Sequence, residues 1–153
     1  HVDSCFQMIV NLCDEAVRVG IPSSVEQQST HWGYFNKEAV MALKARALCY
    51  QASDLFANNP VYADFKNKKG ELLFPEAGDA VAQKEKGHRA ALAADEAIEA
   101  CRNAGKMLID NSKATSVLQT HMLNIEKSVR AANFSSTEAL LMIRRVDDSD
   151  SEW

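Results

Sequence analysis

The chain has 153 residues, 46% hydrophobic and 25% charged, which is the composition of an ordinary globular domain. A chain near this length buries roughly 70% of its unfolded surface, so one domain with its own core is expected over 1–153. A formal net charge of −4 gives no footprint for nucleic acid, and no apolar run reaches the ~20 residues of a membrane-spanning helix.

From Val2 to Val19, the residues Phe6, Ile9, Cys13 and Ala16 recur at steps of three and four, which predicts a helix over 2–19 stopped by Gly20 and Pro22. Residues 20–35 read as a connection rich in Ser and Gln. Asn36 is placed to cap a second helix over 36–57, with Glu38 beside the open amides of its first turn. The stripe Ala39, Leu43, Ala47 and Tyr50 carries that pattern until Asn58, Asn59 and Pro60 break it.

Residues 58–85 hold Pro60, Gly70, Pro75, Gly78 and the basic cluster Lys66, Lys68 and Lys69, with no sustained period. An irregular insertion of that length points to a functional loop or to contacts with something outside the chain. Leu72, Leu73 and Phe74 read as a short extended piece within it. A third helix is predicted over 86–109, its seam formed by Ala90, Ala94, Ala97, Cys101, Ala104 and Leu108. Alanines along a seam admit a close neighbouring helix. A fourth helix over 113–131 carries Val117, Leu118, Met122, Ile125 and Val129. The run from Ala139 to Ile143 fits a buried strand or a helical turn, and 146–153 is an acidic, solvated tail.

The fold class expected is therefore all-α, with antiparallel helical hairpins and a long irregular loop between the second and third helices. Asp14-Glu15-Ala16-Val17 and Asp95-Glu96-Ala97-Ile98 occupy similar places in two helices, which suggests a tetratricopeptide-like pair, although the standard repeat consensus is not met.

Chemistry has little to stand on. Cysteines 5, 13, 49 and 101 form no Cys-x-x-Cys pair and read as small buried thiols in helices. Histidines 1, 31, 88 and 121 lack metal-ligand spacing, and neither a nucleophile elbow nor a phosphate-binding glycine loop is present. Ser53 has no neighbouring base to activate it. No catalytic residue, metal or cofactor is expected, so the protein reads as a non-enzyme. The sequon Asn133-Phe134-Ser135 is of a kind that arises by chance. Lys44 and Arg46 stand in an otherwise apolar helix, where they are expected to reach water or a carboxylate past their neighbours.

One segment is more specific. Trp32-Gly33, Lys37, Ala42-Leu43-Lys44-Ala45-Arg46, Tyr50, Ala52-Ser53 and Leu55-Phe56 together resemble the SusD/RagB family of outer-membrane nutrient-binding lipoproteins. In that family Trp-Gly-Arg precedes a Lys-containing helix start, followed by Ala-Leu-Lys-Ala-Arg and Tyr-x-Ala-Ser-Pro-Leu-Phe. Here Tyr34 replaces the Arg and Asp54 replaces the Pro, and the second change is expected to let the helix run on. The likeness covers most of 3–110 and is sharpest in the central segment.

The resemblance implies an internal piece of a longer protein, belonging to its helical scaffold. It implies capture of an oligosaccharide or polysaccharide at the cell surface beside a SusC-like TonB-dependent transporter, with outer-membrane localisation through a lipid anchor outside this chain. Trp32 and Tyr34 in one loop, and Tyr62 and Phe65 in another, are the carbohydrate-contact candidates, although the first two are read first as residues that pin the loop against the helices, with sugar stacking as the alternative. With so few aromatics, this chain alone is expected to bind glycans weakly or not at all. A helical-repeat adaptor for a peptide or protein partner is the alternative function.

Overall fold

The computed structural model describes residues 1–24, 34–108, 116–129 and 140, and among these described residues it has five α-helices and one short 3-10 turn. The helices are α1 (Val2–Arg18), α2 (Lys37–Ala52), α3 (Asp54–Ala57), α4 (Ala80–Asn103) and α5 (Val117–Val129), with the 3-10 turn at Pro60–Tyr62. Among the described residues there is no strand, only an isolated antiparallel bridge between Lys66 and Leu72. The all-α expectation holds at this level. Trp32, the sequon at 133–135, the run 139–143 apart from Leu140, and the acidic tail lie outside the described residues.

Backbone chemistry fixes the ends of α1 and α4 in the same way. Gly20 adopts φ +88°, its N–H donates to Val17 O at 3.1 Å, and the Ile21 N–H donates to Ala16 O at 3.2 Å. Gly105, at φ +69°, repeats the arrangement, with its N–H on Arg102 O at 2.9 Å and the Lys106 N–H on Cys101 O at 2.8 Å. Both are Schellman closures, in which a left-handed glycine lets the chain satisfy the last helical carbonyls. The second one corrects the expected end at 109: Leu108 keeps the helical spacing, yet Gly105 has already turned the backbone away.

The start of α4 also moves. Asp79 Oδ1 accepts from Val81 N at 2.9 Å and Ala82 N at 3.1 Å, so the helix opens at Ala80 and the irregular stretch ends at 79 instead of 85. At α2 the expected cap is present, with Asn36 Oδ1 accepting from Ala39 N at 2.9 Å. The far end of α2 differs from expectation. Ser53 is extended at ψ 149° and its Oγ donates to Tyr50 O at 2.7 Å, so the helix breaks there and α3 starts afresh although Asp54 replaces proline.

The core lies where α2 packs on both α1 and α4, around Val10, Ala45, Leu48, Ala90, Ala93 and Ala97. Small side chains on α4 allow the close approach that its seam implied. The predicted stripe on α2 is half wrong, because Ala39 and Ala47 are buried while Leu43 and Tyr50 are more than 40% exposed. A helix flanked on two sides buries residues around most of its circumference, and the solvent sector falls on Leu43, Arg46 and Tyr50. Burial of the cysteines is likewise corrected: Cys13 is buried and Cys101 half-buried, but Cys5 and Cys49 are exposed.

Candidate functional site

The segment 58–79 is irregular but well tied. Val2 N donates to Leu73 O at 3.0 Å and Gly78 N to Ala57 O at 3.3 Å, while Gln83 Nε2 on α4 donates to Asp54 Oδ1 on α3 at 2.6 Å and links the helices on either side of the segment. Its main anchor is Lys86, only 8% exposed, whose Nζ sits 2.8 Å from Glu76 Oε2 and 2.9 Å from Asp3 Oδ1. Gln51 Nε2 donates to the same Asp3 oxygen at 2.7 Å. The cation thereby joins the loop, α1 and α4, and Gln51 ties α2 to the Asp3 carboxylate. Burial alone would depress the Lys86 ammonium, but its bonds to Glu76 and Asp3 outweigh that and hold its pKa above the ordinary lysine value.

Five rings run from the core outward through this loop. Phe6 meets Phe56 edge-on at 5.6 Å and 73°, Phe56 stacks near Phe74 at 6.4 Å and 18°, and Phe74 stacks on Tyr62 at 4.7 Å and 15°. Tyr62 then tilts against Phe65 at 6.2 Å and 56°, and Phe65 is 55% exposed. Each such pair contributes about 0.5–1.5 kcal/mol beyond its burial. The four inner rings are half-buried, so only the outermost part of the series offers a free apolar surface.

Next to that surface the chain makes a tight turn organised by Asn67. Its Oδ1 accepts from Lys69 N at 2.9 Å and Glu71 N at 3.0 Å, and its Nδ2 donates to Glu71 Oε2 at 2.7 Å. Gly70, at φ +82°, donates to Asn67 O at 3.0 Å, and Leu73 N returns to Phe65 O at 2.8 Å. Lys66, Lys68 and Lys69 are all exposed on this turn. Among the described residues none of the three has a carboxylate within ion-pairing distance.

Of the sequence candidates, Tyr62 and Phe65 are thus brought together. Tyr34 is exposed just before α2, in a different part of the chain, and Trp32 lies outside the described residues. Sequence reasoning missed the inner support from Phe74, Phe56 and Phe6, and the ordering role of Asn67. The Asn67-to-Gly70 spacing was a turn signal that pointed to the second of these.

The basic pair of α2 has ordinary partners. Lys44 Nζ lies 2.7 Å from Asp14 Oδ1, and the Arg46 guanidinium sits over the Tyr50 ring at 5.7 Å. Glu38 lies in the first turn of α2, as expected, and also binds outside the helix. It is 2% exposed and accepts from Ser23 Oγ at 2.6 Å and Ser24 N at 2.8 Å, so it fastens the 20–24 connection to α2. An apolar groove of about 700 Å³ runs between the ends of α2 and α4, lined by Ala42, Ile98, Cys101, Met107 and Leu108 and reached by Leu140.

Among the described residues no three His, Cys, Asp or Glu side chains are grouped to hold a metal ion. No described helix is long and apolar enough to cross a membrane. No protein-family model matches this chain, and a search of curated proteins finds no match.

Proposed function

We propose that this chain is the helical scaffold of a non-enzymatic glycan-capture protein of the SusD/RagB kind, held at the outer-membrane surface by a lipid anchor and working beside a TonB-dependent porin. In this reading its helices form antiparallel, tetratricopeptide-like hairpins. The observation that carries it is the place of the family-like segment: Ala42-Leu43-Lys44-Ala45-Arg46 lies in α2, the helix packed by both α1 and α4. Lys44 there reaches carboxylates on both neighbours, at 2.7 Å to Asp14 and 4.0 Å to Glu96. Such a segment organises the scaffold, and the loops it supports present Tyr62 and Phe65.

The test is purification of the native complex from outer membranes. Recovery of a TonB-dependent porin at fixed stoichiometry is the expected result, together with tighter oligosaccharide binding by the intact protein than by this chain in calorimetry. The groove beside Ile98, Met107 and Leu108 favours the second reading, a helical-repeat adaptor. A stoichiometric peptide or protein partner without any porin would decide for the adaptor.

A further inference from the structure

We infer that the turn 65–73 is a binding site for an anionic polysaccharide, one carrying carboxylate or sulfate groups along its chain. The inference rests on the glycan-capture reading and names the ligand class of the Tyr62–Phe65 surface. Its first support is local charge. A chain of net charge −4 places three lysines within four residues, all exposed, with no described carboxylate paired to them. By contrast, Lys44 is held by Asp14, and Lys86 by Glu76 and Asp3.

Its second support is order. Three flexible lysines on a floppy loop would each give up entropy on binding, but Asn67 fixes this backbone through two accepted amides and its own bond to Glu71. The third support is the adjoining ring surface. Tyr62 is stacked on Phe74 and in turn braces the exposed Phe65 at a tilt of 56°, so Phe65 presents a supported apolar face beside the charges. A sugar ring lies flat on such a face while its acidic substituent meets an ammonium group.

A single polysaccharide chain fits better than a broad anionic surface. Asp64 and Glu71 are also exposed on this loop, and they would repel a duplex or a bilayer pressed across it. A single chain with spaced charges needs to meet only the ammonium groups and the ring.

The test is native gel electrophoresis of the whole chain in gels containing polygalacturonate, heparin or neutral amylose, with duplex DNA and phosphatidylserine vesicles as controls. Retardation by an acidic polysaccharide is expected, weakening by roughly tenfold or more between about 50 and about 300 mM NaCl, because three charge contacts are screened. The Lys66→Gln/Lys68→Gln/Lys69→Gln variant should lose that retardation, the corresponding triple Arg variant should keep it, and circular dichroism should show both folded. Phe65→Ala should weaken binding several-fold with the salt dependence unchanged. Retardation by amylose alone, or an unaffected Gln variant, overturns this inference and leaves glycan capture standing. Equal binding of DNA or vesicles overturns it as well. No retardation by any polysaccharide also overturns it, while the porin purification above judges capture separately.

Discussion

Lys44 Nζ on α2 stands 2.7 Å from Asp14 Oδ1 on α1, although the lysine side chain is only 22% exposed and the aspartate 54%. The stem of Lys44 therefore crosses packed apolar surface before its charge reaches a half-exposed partner. An ion pair that open is worth about 1 kcal/mol at most, whereas the buried methylenes contribute through packing. Lys44→Ala should destabilise by about 1–2 kcal/mol in urea unfolding, and Lys44→Met should recover most of that loss. Equal losses for the two variants would show that the charge, and not the stem, holds the helices.

Lys86 is the reverse case, because its charge is buried against two carboxylates, Asp3, which also accepts from Gln51, and the half-exposed Glu76. Lys86→Met leaves Asp3 and Glu76 facing an apolar group, which should cost about 1–3 kcal/mol. The pH dependence has a definite sign. The folded-state pKa is raised above the ordinary 10.5, so the stabilisation is complete below that value and fades as pH rises through the folded pKa. Thermal melts above about pH 10.5 should fall more steeply for the wild type than for Lys86→Met. Parallel alkaline slopes would remove Lys86 from the account of loop anchoring.

Glu38 gives the matching acid limb. Its burial pushes the pKa up, but the hydrogen bonds from Ser23 and Ser24 more than offset this and hold it below the usual 4.5. The stabilisation is thus complete above about pH 4.5 and is lost as pH falls through the lower folded value. Glu38→Gln should cost about 1–2 kcal/mol at pH 7 and should flatten the decline in stability below pH 4.5. Urea titrations at pH 7 and about pH 3 measure both; a constant difference between the proteins at the two pH values would contradict the assignment.

What could be read from sequence follows from how local each signal is. Asn36 as a cap and Gly20 as a stop depend on a few neighbouring atoms, and both are present. The opening of α4 was missed because residues 80–85 are largely exposed and carry no apolar stripe, so only the Asp79 cap marked it. On α2 a single-stripe reading selected Leu43 and Tyr50, since nothing in one helix reveals that two others will flank it. The candidate site divides in the same manner. Tyr62 and Phe65 were visible as loop aromatics, but the stacking of Tyr62 on Phe74 needs the intervening turn to bring distant residues together.

Gly105 offers a test of helix termination without side-chain packing. Its φ is +69° and, its own chain neighbours apart, no heavy atom lies within 4 Å of where a Cβ would stand, so substitution meets only backbone cost. Gly105→Ala should destabilise by about 1–2 kcal/mol and Gly105→Asn by less, as asparagine tolerates the left-handed region better. Guanidinium melts of the two variants give the comparison. An alanine variant as stable as wild type would mean that the Schellman closure does not set the end of α4.

The cysteines allow the last prediction to be made residue by residue. Cys5 and Cys49 are exposed, whereas Cys13 is buried and Cys101 half-buried. Burial raises the pKa of both inner thiols, reinforced at Cys13 by the Asp14 carboxylate and opposed by Lys44. At Cys101 the Glu38 carboxylate reinforces the effect and Lys106 opposes it. Because the thiolate is the reacting form, both exposure and charge favour the outer pair. With an aromatic disulfide reagent at pH 8, two thiols should react at once and two at least roughly tenfold more slowly. Cys5→Ser/Cys49→Ser should abolish the fast phase and leave the slow one. Cys13, facing the α1–α2–α4 interior, should become fully reactive only across the urea transition that unfolds the core. Four equally fast thiols in buffer would mean that this interior opens far more readily than its packing implies.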